Sequence, residues 1–289
     1  MREALEQVVA TTDRVARSQA DPVAVAREWS DPLDQELAGL LSSSLALGGA
    51  QVARDRARSA LARLGGAPSR SLDDPARVAE QLEGWVHRFY RGEHAARLLT
   101  GARRMQRQHG SLGARFGQLW RQHGALEPTV EDWVDELQAA GWGGGALDPA
   151  ARHLLPVPTR GGSASKRLML FLRWMARPDD GVDLGLWQGQ VPTSALVMPV
   201  DTHILRLAGN VGLTAERTAS WRAAREITAG LAAFRPDDPV FYDFALCHLG
   251  MVGDCPSGRD EARCAGCGVK PVCVHWAPSG RGAKRVSTR

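Results

Sequence analysis

Four of the chain's five cysteines, Cys255, Cys264, Cys267 and Cys273, fall within the nineteen residues "CPSGRDEARCAGCGVKPVC". The fifth, Cys247, lies just upstream in an apolar stretch and reads as a buried structural thiol. The amino-terminal stretch carries acidic residues in its first turns and no apolar core, unlike a secretion signal, and no run is long enough to span a membrane. The expected location is therefore the cytoplasm, where cysteines stay reduced or bind metal and do not form disulfides. The spacing C-x8-C-x2-C-x5-C can hold either a tetrahedral zinc ion or a four-iron cluster, and either would fold the segment into tight loops around its metal.

Upstream, the chain reads as helices separated by turn signals, with no clear alternating strand pattern, which places it in the all-α class. Residues 31–65 read as two helices joined at Gly48-Gly49. Residues 73–90, 92–110 and 111–124 each start with a polar or glycine signal and end at glycine or a basic turn. The segment "TVEDWVDELQAAG" reads as a further helix with Thr129 as its N-cap. Residues 141–162 form a glycine- and proline-rich connector, and the last ten residues read as a basic, mobile tail. A net charge of +4 and a pI near 9.0 lean toward a polyanionic partner.

Of 36 basic residues only three are lysine: Lys166, Lys270 and Lys284. Lys166 stands at the start of "KRLMLFLRWM", the most apolar helix-like run in the chain. Arginine serves nearly everywhere else that charge is wanted. A guanidinium cannot lose its proton and attack carbon, whereas an amine can. Burial and the positive end of the helix dipole are both expected to lower the Lys166 pKa. Ser163 or Ser165 can cap this helix, and Gly161, Gly162 and Ser163 offer a turn whose amides can hold a phosphate. In "MPVDTHILRLAGNVGL", Asp201 sits at an N-cap position ahead of an apolar-periodic segment.

"VMPVDTHILRLAGNVGL" resembles the aspartate segment of the helix-hairpin-helix DNA glycosylases, the endonuclease III superfamily. Together with "GGSASKRLMLFLRWM" and "DDPVFYDFALCHLG" it is also similar to a bacterial family known mainly as a domain of unknown function within that superfamily, over roughly residues 20–252. The long interval between lysine and aspartate is similar to that of the archaeal 8-oxoguanine glycosylases. The usual hairpin, L-P-G-V-G-x-K, is replaced here by "LLPVPTRGGSASK". The resemblance implies a two-domain helix-hairpin-helix fold. One helical domain would be continuous, residues 38–190, and the other would combine residues 1–37 with 191–289. Lys166 and Asp201 would face each other across a DNA cleft. The superfamily's C-terminal cluster ends in the same C-x2-C-x5-C arrangement, which implies a [4Fe–4S] cluster on the four cysteines, with zinc as the alternative.

The implied activity is base excision on double-stranded DNA by a monomer associated with the bacterial nucleoid. A damaged base is flipped out and displaced by Lys166, Asp201 assists, and a Schiff base permits β-elimination at the abasic site. The expected lesion is 8-oxoguanine, with oxidised pyrimidine as the alternative. Asp243 and Trp174 are candidate base-pocket residues, with Trp142 and Trp187 as further stacking candidates, and Gln51 is a candidate for filling the vacated stack. Two other classes stay open at this point: a non-catalytic iron–sulfur DNA-binding protein and a zinc-stabilised helical interaction protein.

Overall fold

The structure, a computed structural model, describes residues 1–252 and 255–276, and the basic tail expected over the last ten residues lies outside them. It is predominantly helical. The N-terminal part contains α1 (Arg2–Thr11), α2 (Arg14–Ser18), α3 (Val23–Arg27), α4 (Pro32–Ser44), α5 (Ala50–Leu64), α6 (Pro68–Ser71) and α7 (Pro75–Gln81). The middle contains α8 (Gly92–His109), α9 (Leu112–His123), α10 (Leu126–Trp142), α11 (Pro149–Leu154) and α12 (Lys166–Ala176). α13 (Thr202–Asn210), α14 (Trp221–Ala232) and α15 (Asp243–Val252) follow. Many of these helices start where a short polar side chain can satisfy a free backbone amide. Asp31, Asp74, Asp148 and Asp201 accept such bonds, as do Ser111 and Ser220. Among the described residues, no helix is long and apolar enough to cross a membrane.

Two of the expected elements differ. The helix expected over residues 73–90 ends at Gln81, and Val86–His87 pairs with Tyr90–Arg91 as a short antiparallel hairpin. The burial period is the cause. Trp85, His87 and Tyr90 are buried while Val86, Arg88 and Phe89 are exposed, an alternation nearer two than 3.6. Arg88 makes the turn at a positive φ of 55°. The second difference is in α10, which begins at Leu126 after Ala125, so Thr129 lies inside the helix and donates to the Ala125 carbonyl at 2.7 Å. The break at Gly48-Gly49 is as expected, between α4 and α5.

The apolar side chains gather into two cores. The first takes residues from Val23 to Leu196, with Val240 and Phe244. The second joins Leu5 and Val8 of α1 to Ala164, to residues from Met198 to Leu246, and to Val269. Val23, Val25, Ala26 and Leu37, upstream of residue 38, pack into the first core. α15 straddles the two, since Phe244 belongs to the first while Ala245 and Leu246 belong to the second. Within the first core α8 and α10 approach to backbone contact. A Cβ on Gly101 would stand 2.8 Å from the Gly141 Cα, which is why glycine occupies both positions.

Candidate active site

Lys166 opens α12 because of the turn before it. Ser165, fully buried, takes a left-handed conformation (φ 48°, ψ 37°), and its carbonyl accepts the first bonds of the helix from Leu168 and Met169. That conformation costs a residue with a Cβ about 1 kcal/mol, so neighbouring contacts must hold it. They do: the Ala164 amide donates to Ala219 O (3.1 Å), and Trp221 N donates to Gly162 O (2.8 Å). The Ser165 hydroxyl makes no cap. It donates to Ser163 O at 3.4 Å, and the Ser165 amide donates to Ser163 Oγ at 3.2 Å. Gly161, Gly162 and Ser163 form the exposed outer face of this turn, with Gly162 at φ 65°.

Asp201 uses its two oxygens for two purposes. Oδ1 caps α13 by accepting from His203 N and Ile204 N, both at 2.9 Å. Oδ2 accepts from Lys166 Nζ at 2.8 Å. An amine and a carboxylate thirty-five positions apart therefore meet in an ion pair between a helix of the first core and a helix of the second.

The Lys166 pKa moves opposite to the expected direction. Burial does push the amine down, but the charge of Asp201, with smaller help from the Asp201 hydrogen bond and Asp243, outweighs it and holds Lys166 above the usual lysine value. For Asp201, burial pushes the carboxyl up, but Lys166 and the Ile204 amide outweigh that and hold it below the usual carboxylate value. At rest the pair is ionised.

The pair lines a pocket whose other walls include Asp21, Leu170, Arg173, Asp243, Phe244 and His248. Lys166, Leu170 and Arg173 follow an i, i+4, i+7 spacing and so form one stripe of α12. Asp243, Cys247, His248 and Met251 come from α15. Asp243 is ion-paired with Arg173, and Arg173 Nε donates to Asp183 Oδ1 at 3.0 Å. Burial pushes the Asp243 carboxyl up to about 6, more than the Arg173 charge lowers it. Burial also pushes the Cys247 thiol up, leaving it protonated and unreactive. His248 is lowered to about 4 by burial and by the charges of Arg17 and Arg173, so it is neutral at physiological pH.

The Asp243 shift carries a pH prediction. A carboxyl whose folded pKa exceeds its unfolded value adds stability that is full below the unfolded pKa, about 3.9, and is lost as pH rises through about 6. Urea unfolding of wild type and Asp243→Asn across that window should differ in slope, with the variant lacking this loss. Parallel pH profiles would contradict the assignment.

The candidate residues do not all converge on the pocket. Lys166, Asp201 and Asp243 line it. Trp174 is fully buried in the first core, as is Trp187, so neither ring is open to a ligand. Trp142 packs against that core partly buried. Gln51 is exposed in the first turn of α5, next to Ala50, which touches the pocket. Cys247 is half-buried and on the pocket wall. Asp21, Arg173 and His248 were not singled out from the sequence. Arg173 had a readable signal, being a charge inside an apolar helical run, which requires a buried partner.

The four cysteines line a single small cavity with Asn210, Lys270, His275 and Trp276. Burial is the main cause that pushes the Cys255 and Cys273 thiols up, against the Asn210 hydrogen bond at Cys255, with neighbouring cysteines adding to it. Yet among the described residues no group of three or more His, Cys, Asp or Glu side chains closes on a point to hold one metal ion. Asn210, the last residue of α13, ties the loop down: its Nδ2 donates to Cys255 Sγ (3.2 Å) and Pro256 O (2.9 Å), and its carbonyl accepts from Val274 N (2.7 Å). The helix that begins after Asp201 thus ends on the cysteine loop. Arg259 and Lys270 sit over the Trp276 ring, 4.2 and 4.0 Å from its centroid.

Residues 21–252 match the family described as Protein of unknown function (DUF2400), and the match ends before the four-cysteine loop. No curated protein and no solved structure matches the chain.

Proposed function

The chain belongs to that family of unknown function, and from this premise we propose that it is a DNA base-excision glycosylase with abasic-site lyase activity, acting on an oxidised base. The observation that carries the reading is the Lys166–Asp201 pair, an amine 2.8 Å from a carboxylate on the wall of a pocket between two helical cores. On this reading the two cores correspond to two domains with the duplex between them, and the exposed Gly161–Ser163 turn contacts backbone phosphate. The protein acts as a monomer.

An extruded nucleotide entering the pocket displaces water from around the ion pair. In the drier site the charged pair loses its hydration, and transfer of the Nζ proton to Asp201 Oδ2 becomes easier. The free amine attacks the sugar's anomeric carbon and the base leaves. Asp201, held in place by its two backbone donors, passes the proton it took from Nζ to the departing base and, as a carboxylate again, stabilises the positive charge left on the sugar–lysine adduct. The lysine adduct opens to a Schiff base, and loss of the neighbouring proton expels the 3′ phosphate. The lesion assigned is 8-oxoguanine, ahead of an oxidised pyrimidine.

Cys255, Cys264, Cys267 and Cys273 would hold a [4Fe–4S] cluster, supplying a structural crosslink and no reaction step. Iron and sulfide in an anaerobic preparation support this assignment, and stoichiometric zinc overturns it. The reaction itself is tested by borohydride trapping: wild type should form a covalent adduct at Lys166 with duplex containing an abasic site. Lesion-independent duplex binding with no adduct and no base release would leave a non-catalytic DNA-binding protein.

A further inference from the structure

Two residues that line the pocket beside the Lys166–Asp201 pair each carry a buried polar atom with no hydrogen-bond partner among the described residues. Arg173 is 2% exposed, and its guanidinium is locked on two sides: Nε donates to Asp183 and Nη1 to Asp243. Nη2 is buried and, among the described residues, has no hydrogen-bond partner. His248 Nε2 is in the same condition, with its ring 4.3 Å from that of Phe244, another wall of the pocket. A buried donor without an acceptor is rare in folded proteins, and one on a ligand pocket points to an acceptor brought by the ligand.

The chemistry of that acceptor is limited. A guanidinium only donates, so the ligand atom must accept. Two cationic side chains, Lys166 and Arg173, line the pocket beside three carboxyls, Asp21, Asp201 and Asp243. No excess positive charge remains to hold a phosphate, and an uncharged acceptor suits this balance better. The Phe244 ring lies 5.7 Å from the Arg173 guanidinium and supplies an apolar face beside the donor. A planar heterocycle with a carbonyl on its edge fits these features.

We propose that Arg173 is a specificity-determining residue that donates from Nη2 to an exocyclic carbonyl oxygen of the extruded base. The pocket then accepts oxo-bearing bases and rejects those that present no carbonyl at that edge. The proposal rests on the glycosylase reading and narrows it from damaged bases in general to one recognition contact. Because Asp183 and Asp243 fix the guanidinium before the base arrives, little ordering is needed on binding. A base lacking the carbonyl leaves Nη2 unpaired, the arrangement by which buried polar groups discriminate most strongly.

The test uses the full chain and duplexes carrying non-cleavable 2′-fluoro nucleotides: 8-oxoguanine, 5-hydroxyuracil, and analogues of each lacking one ring carbonyl. For the base that binds, removal of one particular carbonyl should weaken wild-type binding by at least about tenfold, with the other deletions near neutral. In Arg173→Lys that penalty, read as the ratio of the two affinities within the variant, should shrink. Equal wild-type affinity for every carbonyl deletion overturns the proposal whether or not the variant folds. Trapping without any carbonyl dependence leaves the glycosylase reading standing and removes only the role of Arg173. Absence of both trapping and base release in wild type removes the glycosylase reading, and the proposal with it.

Discussion

Lys166→Gln should abolish borohydride-trapped adducts on abasic DNA and lower base release by about a thousandfold or more, the scale expected when a covalent nucleophile is lost. Asp201→Asn should behave differently, because Asp201 performs two separable tasks. Asparagine is as good an N-cap as aspartate, so its side-chain oxygen can keep the bonds from His203 and Ile204 and α13 should survive. What disappears is the negative charge 2.8 Å from Nζ. Base release, which needs that charge near the developing sugar cation, should fall by about a hundred- to a thousandfold. Attack on an existing abasic aldehyde needs only a free amine. In wild type the Asp201 charge is among the factors that hold Lys166 above the usual lysine value, and burial opposes it. Without the carboxylate, burial acts less opposed and the amine is free at lower pH. Asp201→Asn should therefore still be trapped on abasic DNA, with its pH optimum moved downward. Equal losses of trapping and base release in this variant would sink the division of labour between the two residues.

Much of the frame was legible because it depends on local chemistry. The α4–α5 break is written in Gly48-Gly49, and the start of α13 in an aspartate before an apolar-periodic run. Asp201 could be read as a cap or as an active-site carboxylate; its Oδ1 does cap α13, while its Oδ2 is taken by Lys166. What escaped the sequence depends on distances between remote segments. The sign of the Lys166 shift is set by competition between burial and a partner thirty-five residues away, and no pattern in "SASKRLML" reports which prevails. Arg173 looked like an interruption in an apolar helix, since its carboxylate partners lie ten and seventy residues further along the chain. Trp174, its immediate neighbour, was a candidate for base stacking by residue type alone. The turn of α12 that places Arg173 at the pocket instead sends Trp174 into the first core.

The largest stability effect is expected far from the pocket, at Glu36. This carboxylate is 2% exposed in α4 and accepts four hydrogen bonds. Gly113 N (2.9 Å) and Trp187 Nε1 (2.7 Å) donate to Oε1, while Leu112 N and Gln106 Nε2, both at 2.9 Å, donate to Oε2. Two of these donors are the first amides of α9, which have no partner inside their own helix. Burial still holds the Glu36 carboxyl above its usual value, with the four donors pulling the other way. Glu36→Ala removes the acceptor and strands three donors in a closed interior, leaving Gln106 Nε2 only its bond to Leu33 O, at an expected cost of about 3–5 kcal/mol. Against a typical total of about 5–15 kcal/mol, that leaves a marginal protein. The neighbourhood has little slack with which to recover, since a Cβ on Gly113 would come within 2.3 Å of the Trp187 ring. Glu36→Gln keeps one oxygen but points an amide at two donors, so its cost should be smaller, about 1–3 kcal/mol. Because α4 packs directly on α12, the loosening should also reach the helix that carries Lys166 and Arg173. Urea denaturation of the two variants provides the measurement. A loss below about 1 kcal/mol for Glu36→Ala would mean that water or a rearranged side chain replaces the carboxylate, and that the four-donor site is not a keystone of the first core.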